Sequence, residues 1–182
     1  MKKSADYLQD CFKARELAWK AKKEQLEFIK KTEQGSISRD TKSFNQEFRT
    51  LHLDFGRRTG NSYWMSHKCL ELSLKGNFNC FCFFFSYNAL KYFWQNITPK
   101  IQKQKELLKS SMEVNICWKP SELIVQKGKI TTDMHVYTFQ TMDRGIKHIP
   151  NSYAFVDVSC MLGVNKLDKI MESDQWEIIC LL

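Results

Sequence analysis

The sequence predicts an α/β fold on a mainly parallel sheet, and three stretches predict it. Leu51 to Leu74 reads LHLDF, GRRTGNS, YWMSHKCLELSL: a short alternating apolar run, a glycine-bracketed basic turn, then a segment of helical periodicity. Asn79 to Phe85, NCFCFFF, is almost wholly apolar, as a strand covered on both faces of a parallel sheet must be. Tyr153 to Val156 is an apolar strand that ends in Asp157.

Composition sets the bounds. A chain of 182 residues with 43% hydrophobic and 13% aromatic residues supports one domain with a sizeable core, and 7 Gly and 3 Pro leave little material for long linkers. Lys and Arg number 28 against 20 acids, a formal charge of +8, which favours anionic partners: nucleotides, nucleic acid or an acidic protein surface. Much of the excess lies in two helical stretches, Lys2 to Lys31 and Lys91 to Lys109.

Seven cysteines, an odd number with no signal peptide ahead of them, predict a reducing compartment. Cys80 and Cys82 are spaced for one face of a strand, no CxxC pair begins a zinc site, and His52, His67, His135 and His148 lack metal-ligand spacing. The longest apolar run, Cys80 to Phe85, is far too short to span a bilayer. The expectation is a soluble, cytoplasmic protein with no membrane contact.

Taken in order, Ser4 to Glu33 reads as a helix capped by Ser4, with Leu8, Cys11, Phe12, Ala18, Trp19, Leu26 and Ile29 near one stripe and lysines over much of the rest. Two readings stand: a basic arm for a nucleic acid or partner subunit, and a helix packed on the domain by its stripe. Gln34 to Lys42 is a polar connection, so the chain divides into an arm with its connection at 1–42 and a domain at 43–182. Gln46 or Arg49 could lie beside a bound base, though nothing in the sequence requires it.

Leu51 to Phe55 is the first strand. Its turn has the plan of a phosphate-binding loop, in which glycines let backbone N–H groups approach an anion and the following helix adds positive potential at its N-terminus. Ser62 would be the hydroxyl that reaches Mg²⁺, or, without a ligand, a helix N-cap. In the usual pattern GxxxxGK[ST], Phe55 takes the first glycine's place and Asn61 the lysine's. Ser62 to Lys75 forms the helix, ended by Gly76. With the strand Asn79 to Phe85 it makes a βαβ unit that puts the loop at the C-terminal edge of the sheet.

Asn88 to Gln95 is a helix, and a basic helix follows Pro99 to about Ser110. Met112 to Trp118, Ser121 to Gln126 and Thr131 to Thr141 alternate as strands, with a hairpin turn at Gly128. Asp157 is placed to present a carboxylate to Mg²⁺, usually through water, or to be a surface carboxylate at a strand end. Lys166 to Glu172 and Trp176 to Leu182 close the chain as helix and strand.

With these stretches in hand, Leu51 to Leu182 resembles the ATPase core of P-loop proteins of the additional-strand type, particularly phage terminase large subunits and related helicase-like proteins. Those carry a loop like [GS]RRxGKS, an edge strand, a strand hairpin with a central glycine, an RG dipeptide and a strand ending in Asp-Glu. The matching residues are Gly56-Arg57-Arg58-Thr59-Gly60-Asn61-Ser62, Asn79 to Phe85, the turn at Gly128, Arg144-Gly145, and Tyr153 to Asp157, in that order.

The resemblance implies a three-layer P-loop NTPase-like sheet with an added β-hairpin and an N-terminal helix. It implies a nucleotide site at Gly56, Arg57, Arg58, Thr59, Gly60, Asn61 and Ser62, with Ser62 and Asp157 on the metal and ATP and Mg²⁺ as cofactors. A phage-encoded protein linked to DNA processing or packaging, in the host cytoplasm, would follow.

Three departures bear on activity. Asn61 lacks the ammonium that neutralises β/γ-phosphate charge, so either Arg57 or Arg58 supplies that charge from the start of the loop or affinity falls. Val158 takes the place of the family's catalytic Glu and cannot polarise a water, so hydrolysis is weak or absent and no catalytic residue is named. The third departure is that the resemblance runs out after the strand that follows Asp157, so the expectation is a core without a second domain, nuclease or motor coupling element. The alternative function is a non-enzymatic nucleic-acid- or protein-binding module on the same fold. A nuclease would need clustered carboxylates, and no spacing ties Asp133, Asp143, Asp157, Asp168 and Asp174 together.

Overall fold

A computed structural model of the chain describes residues 4–32, 48–75, 79–84, 86–107, 112–116, 122–127, 130–138, 145–146, 148–158 and 164–182. Its elements run α1 (Ala5–Thr32), β1 (Thr50–His52), α2 (Asn61–Lys75), β2 (Asn79–Phe84), α3 (Tyr87–Leu107), β3 (Met112–Ile116), β4 (Glu122–Lys127), β5 (Ile130–Thr138), β6 (Ser152–Val156), α4 (Val164–Met171) and β7 (Trp176–Leu181). The connection at 34–42 with its boundary, Gln46, the helix stop at Gly76, the turn at Gly128 and Arg144 lie outside the described residues.

The seven strands form one sheet in the order β1-β7-β6-β2-β5-β4-β3. β1, β7, β6, β2 and β5 are mutually parallel, and β4 and β3 continue the edge antiparallel. The mainly parallel sheet with an antiparallel addition is the α/β class expected.

β2 is the clearest case of sequence becoming structure. Cys80, Cys82 and Phe84 face one core cluster while Phe81 and Phe83 face the other, so its continuous apolar run fills both faces. β6 does the same, with Tyr153 and Phe155 on one side and Ala154 and Val156 on the other. The first cluster is covered by Trp19 of α1, Trp64 and Cys69 of α2 and Phe93 of α3. The second is covered by Leu167 and Ile170 of α4. Helices, sheet and helix are the three layers.

Trp19 anchors α1 to this core, stacked on Phe155 with ring centroids 5.5 Å apart and edge-on to Trp64 at 6.1 Å. Cys11 and Leu26 of the stripe are buried with it, while Leu8 stays exposed. Ser4 caps the helix, its hydroxyl accepting from the Tyr7 N–H at 3.3 Å. Cys11, Cys69, Cys80, Cys82 and Cys180 are free and buried. Burial raises the thiols of Cys69 and Cys82, which keeps them inert.

Four expectations are corrected. The first strand is three residues, Thr50–His52, because only Leu53 adds a further ladder bond, to the Leu181 carbonyl at 2.8 Å, before the chain turns away. β2 is interior rather than at an edge, and it does not neighbour β1: β7 and β6 lie between them, so the βαβ crossover spans two strands.

The expected break at Pro99 does not occur, and α3 runs through it. Pro99 is exposed, and the turns around it are tied down by buried Phe93 and Ile97 and by Lys100 bonded to α2, so one lost helix bond is tolerated. Finally, α2 begins at Asn61 and the Trp64 N–H bonds the Gly60 carbonyl at 2.9 Å. Gly60 is therefore the cap position and Ser62 stands inside the first turn.

Candidate functional site

Because β1 and β6 are parallel members of one sheet, the loop after His52 and the residue after Val156 emerge at the same edge. Asp157 is fixed there by its N–H to the Phe83 carbonyl at 2.9 Å, and its neighbour Val158 by a bond to Leu182 at 2.8 Å. The two stretches meet in a cleft of about 500 Å³ lined by Arg57, Arg58, Gly60, Asn61, Ser62, Tyr63, Tyr92, Asn96 and Asp157. Of the nucleotide-loop residues proposed from sequence, five line this cleft; Gly56 and Thr59 do not.

The loop backbone accounts for the difference. Gly56, Arg58 and Gly60 take positive φ of 85°, 60° and 84°, a left-handed conformation at every second residue. For Arg58 that conformation is costly, of order 1–3 kcal/mol. The Gly56 N–H is taken by the Asp54 carboxylate at 2.7 Å, an Asx turn that closes the loop's entry. Thr59 is buried, its hydroxyl donating to the Gly56 carbonyl at 2.8 Å. At the exit, the N–H groups of Asn61, Ser62 and Tyr63 precede the first bond of α2, from Trp64 to Gly60, and no acidic side chain stands in that turn to use them.

Behind the loop lies a residue that sequence reasoning missed. Arg15 of α1 is fully buried and donates to the Thr59 carbonyl at 3.1 Å, to the Thr59 hydroxyl at 2.9 Å and to Asn61 Oδ1. Its guanidinium lies over the Phe55 ring, 4.6 Å from the centroid. Burial lowers its pKa, though arginine stays charged. The signal was present: Arg15 sits in register between Cys11 and Trp19 on the apolar stripe, where a charged side chain requires a partner.

The next residue, Glu16, braces the helix after the loop. Its carboxylate accepts from Trp64 Nε1 at 2.7 Å and from Lys68 Nζ at 2.7 Å. Lys100 of α3 bonds the Tyr63 carbonyl at 3.1 Å and the Ser66 hydroxyl at 2.7 Å, its ammonium 3.8 Å from the Tyr63 ring centroid. Burial brings Lys100 down to about 8. Arg49, expected near a base, instead bonds the Trp176 carbonyl at 3.2 Å, at the start of β7 and the opposite edge of the sheet.

Among solved structures, the chain is similar to the large terminase ATPase domain of Thermus phage P74-26, at 12% identity and a TM-score of 0.54 over 72% of this chain and 57% of that one. The fold is terminase-like. The large terminase of bacteriophage HK97 is similar at 10% identity and a TM-score of 0.52, over 81% of this chain and 33% of that one. The chain thus spans a little over half the length of the first of these proteins and a third of the second. No protein-family model matches the sequence, and no curated protein matches it.

Val158, where the terminase resemblance expects a glutamate, packs against the buried cluster that includes Phe81, Phe83, Val156 and Ile170. Among the described residues no group of three or more His, Cys, Asp or Glu is set to hold a metal, and no helix is long and apolar enough to cross a membrane.

Proposed function

We propose that this protein binds ATP with Mg²⁺ in the cleft between the loop and Asp157, hydrolyses it weakly or not at all, and serves a phage DNA-processing or packaging complex in the host cytoplasm. The observation that carries the reading is that Arg57, Arg58, Gly60, Asn61 and Ser62 line one cleft with Asp157, which the sequence places on a distant strand. A cleft of that size suits a nucleotide.

Arg57 and Arg58 would hold phosphate oxygens, the α2 N-terminus would add its dipole, and Ser62 and Asp157 would hold Mg²⁺. The fit is chemically sound: Mg²⁺ takes one or two protein oxygens and completes its shell with phosphate and water. Bound there, the ion would neutralise triphosphate charge. At 158, where the family carries its catalytic glutamate, a valine packed on an apolar cluster cannot activate water.

A second reading, a nucleic-acid- or protein-binding module on the same fold, is favoured by Asn61, which lacks the ammonium of a functional loop. One experiment separates the two. Titration with a fluorescent ATP analogue is expected to saturate with Mg²⁺ and to weaken about tenfold or more in Asp157→Ala, a loss near 1.4 kcal/mol. No saturable binding, alongside DNA binding that falls steeply with salt, would establish the module instead.

A further inference from the structure

Arg15 presents an imbalance. Its guanidinium is fully buried, its Nε has no hydrogen-bond partner, and it forms no ion pair among the described residues. The Asp54 carboxylate offsets its charge only from beyond ion-pair distance, and a buried cation so compensated is costly unless something anionic completes it. The groups it does reach are the last residues of the loop, Thr59 and Asn61, and Asn61 is the position at which the loop lacks a cation of its own.

We infer that Arg15 supplies, from α1, the positive charge missing at Asn61 and holds the loop in its anion-accepting form. The inference rests on the nucleotide reading above and deepens it: Arg15 is a positioning residue, set behind the loop rather than in the cleft.

The backbone explains how. The Thr59 carbonyl points at Arg15, and in a trans peptide the N–H lies opposite its carbonyl, so the Gly60 N–H faces away from α1. Gly60 itself lines the phosphate cleft. Its left-handed φ of 84° leaves this peptide free of side-chain restraint, and a glycine there permits the flip that would turn the carbonyl inward. The fork from Arg15 opposes that flip, while its charge, close behind the loop, favours anion in front of it. Docking of α1 and competence of the loop are one event.

The test is a charge swap, read as Mg²⁺-ATP affinity together with the thermal midpoint of each variant. Arg15→Met keeps the stem in the interface and removes the charge; affinity is expected to fall about tenfold or more. Asn61→Lys alone is expected to weaken binding, because the new ammonium meets the guanidinium. In Arg15→Met with Asn61→Lys, affinity is expected to return to within about threefold of wild type while the thermal midpoint stays low, since the fork to Thr59 is not rebuilt.

Arg15→Met that binds like wild type, or a double variant no better than Arg15→Met, overturns the inference. Should Arg15→Met fail to fold, Asn61→Lys decides alone, and tighter binding in it overturns the inference. A wild-type protein that binds no nucleotide removes the nucleotide reading and this inference together; one that binds but shows no swap removes only this inference.

Discussion

Lys68 and Glu16 meet at 2.7 Å across the interface of α1 and α2, the lysine side chain only 3% exposed and the glutamate 33%. Lys68 has a second carboxylate, Glu71, at 2.7 Å on its own helix, so the cross-helix contact is one of two. Glu16 also accepts from Trp64, and this second bond makes it the brace between the helices.

Glu16→Ala is therefore expected to cost about 2–3 kcal/mol, below the full penalty for stripping a buried ion pair because Glu71 remains. Glu71→Ala should cost less, since it leaves the α1 contact and the Trp64 acceptor in place. Urea unfolding followed by tryptophan fluorescence measures both; equal losses would show that Glu16 does not brace α1.

Lys100 predicts a pH dependence. Its folded pKa of about 8 lies below the ordinary value of 10.5, chiefly through burial. Below pH 8 both states carry the proton and the desolvation cost is fully present. Between about 8 and 10.5 the unfolded chain binds more protons than the folded one, so stability rises with pH across that window. Lys100→Met should flatten this rise; a melting temperature that falls equally from pH 8 to 10 in both proteins would refute the assignment.

Replacing Val158 by glutamate recreates the Asp-Glu pair of the terminase resemblance in sequence but not in space. The side chain at 158 packs against the buried cluster of Phe81, Phe83, Val156 and Ile170, so a carboxylate there meets apolar surroundings. We expect Val158→Glu to lose about 1–3 kcal/mol of stability. ATP hydrolysis should not rise, and steady-state phosphate release checks it: a gain in rate would mean that the side chain turns to the cleft.

Much of this molecule was legible because its signals are local. The buried stripe of α1, the two-faced apolar run of β2, the loop glycines and the aspartate after β6 are each written in periodicity or in backbone requirements that a few neighbouring residues carry. Misreadings arose where a distant contact overrides a local rule. Lys100 bonded to Tyr63 and Ser66 helps carry α3 through Pro99, and Arg49 was drawn to β7 because its partner, the Trp176 carbonyl, is identified only by strand order.

The sequence by itself determined the α/β class, the mainly parallel sheet and the presence of a basic glycine loop and a strand-end carboxylate. Tertiary structure alone decided that β7 and β6 separate β1 from β2, that Asp157 shares a cleft with the loop, and that Arg15 is buried behind that loop. The physical reason is range. Helical and strand periodicity is set by neighbours a few positions away, whereas strand order and the partner of a buried charge are set by packing across the whole chain.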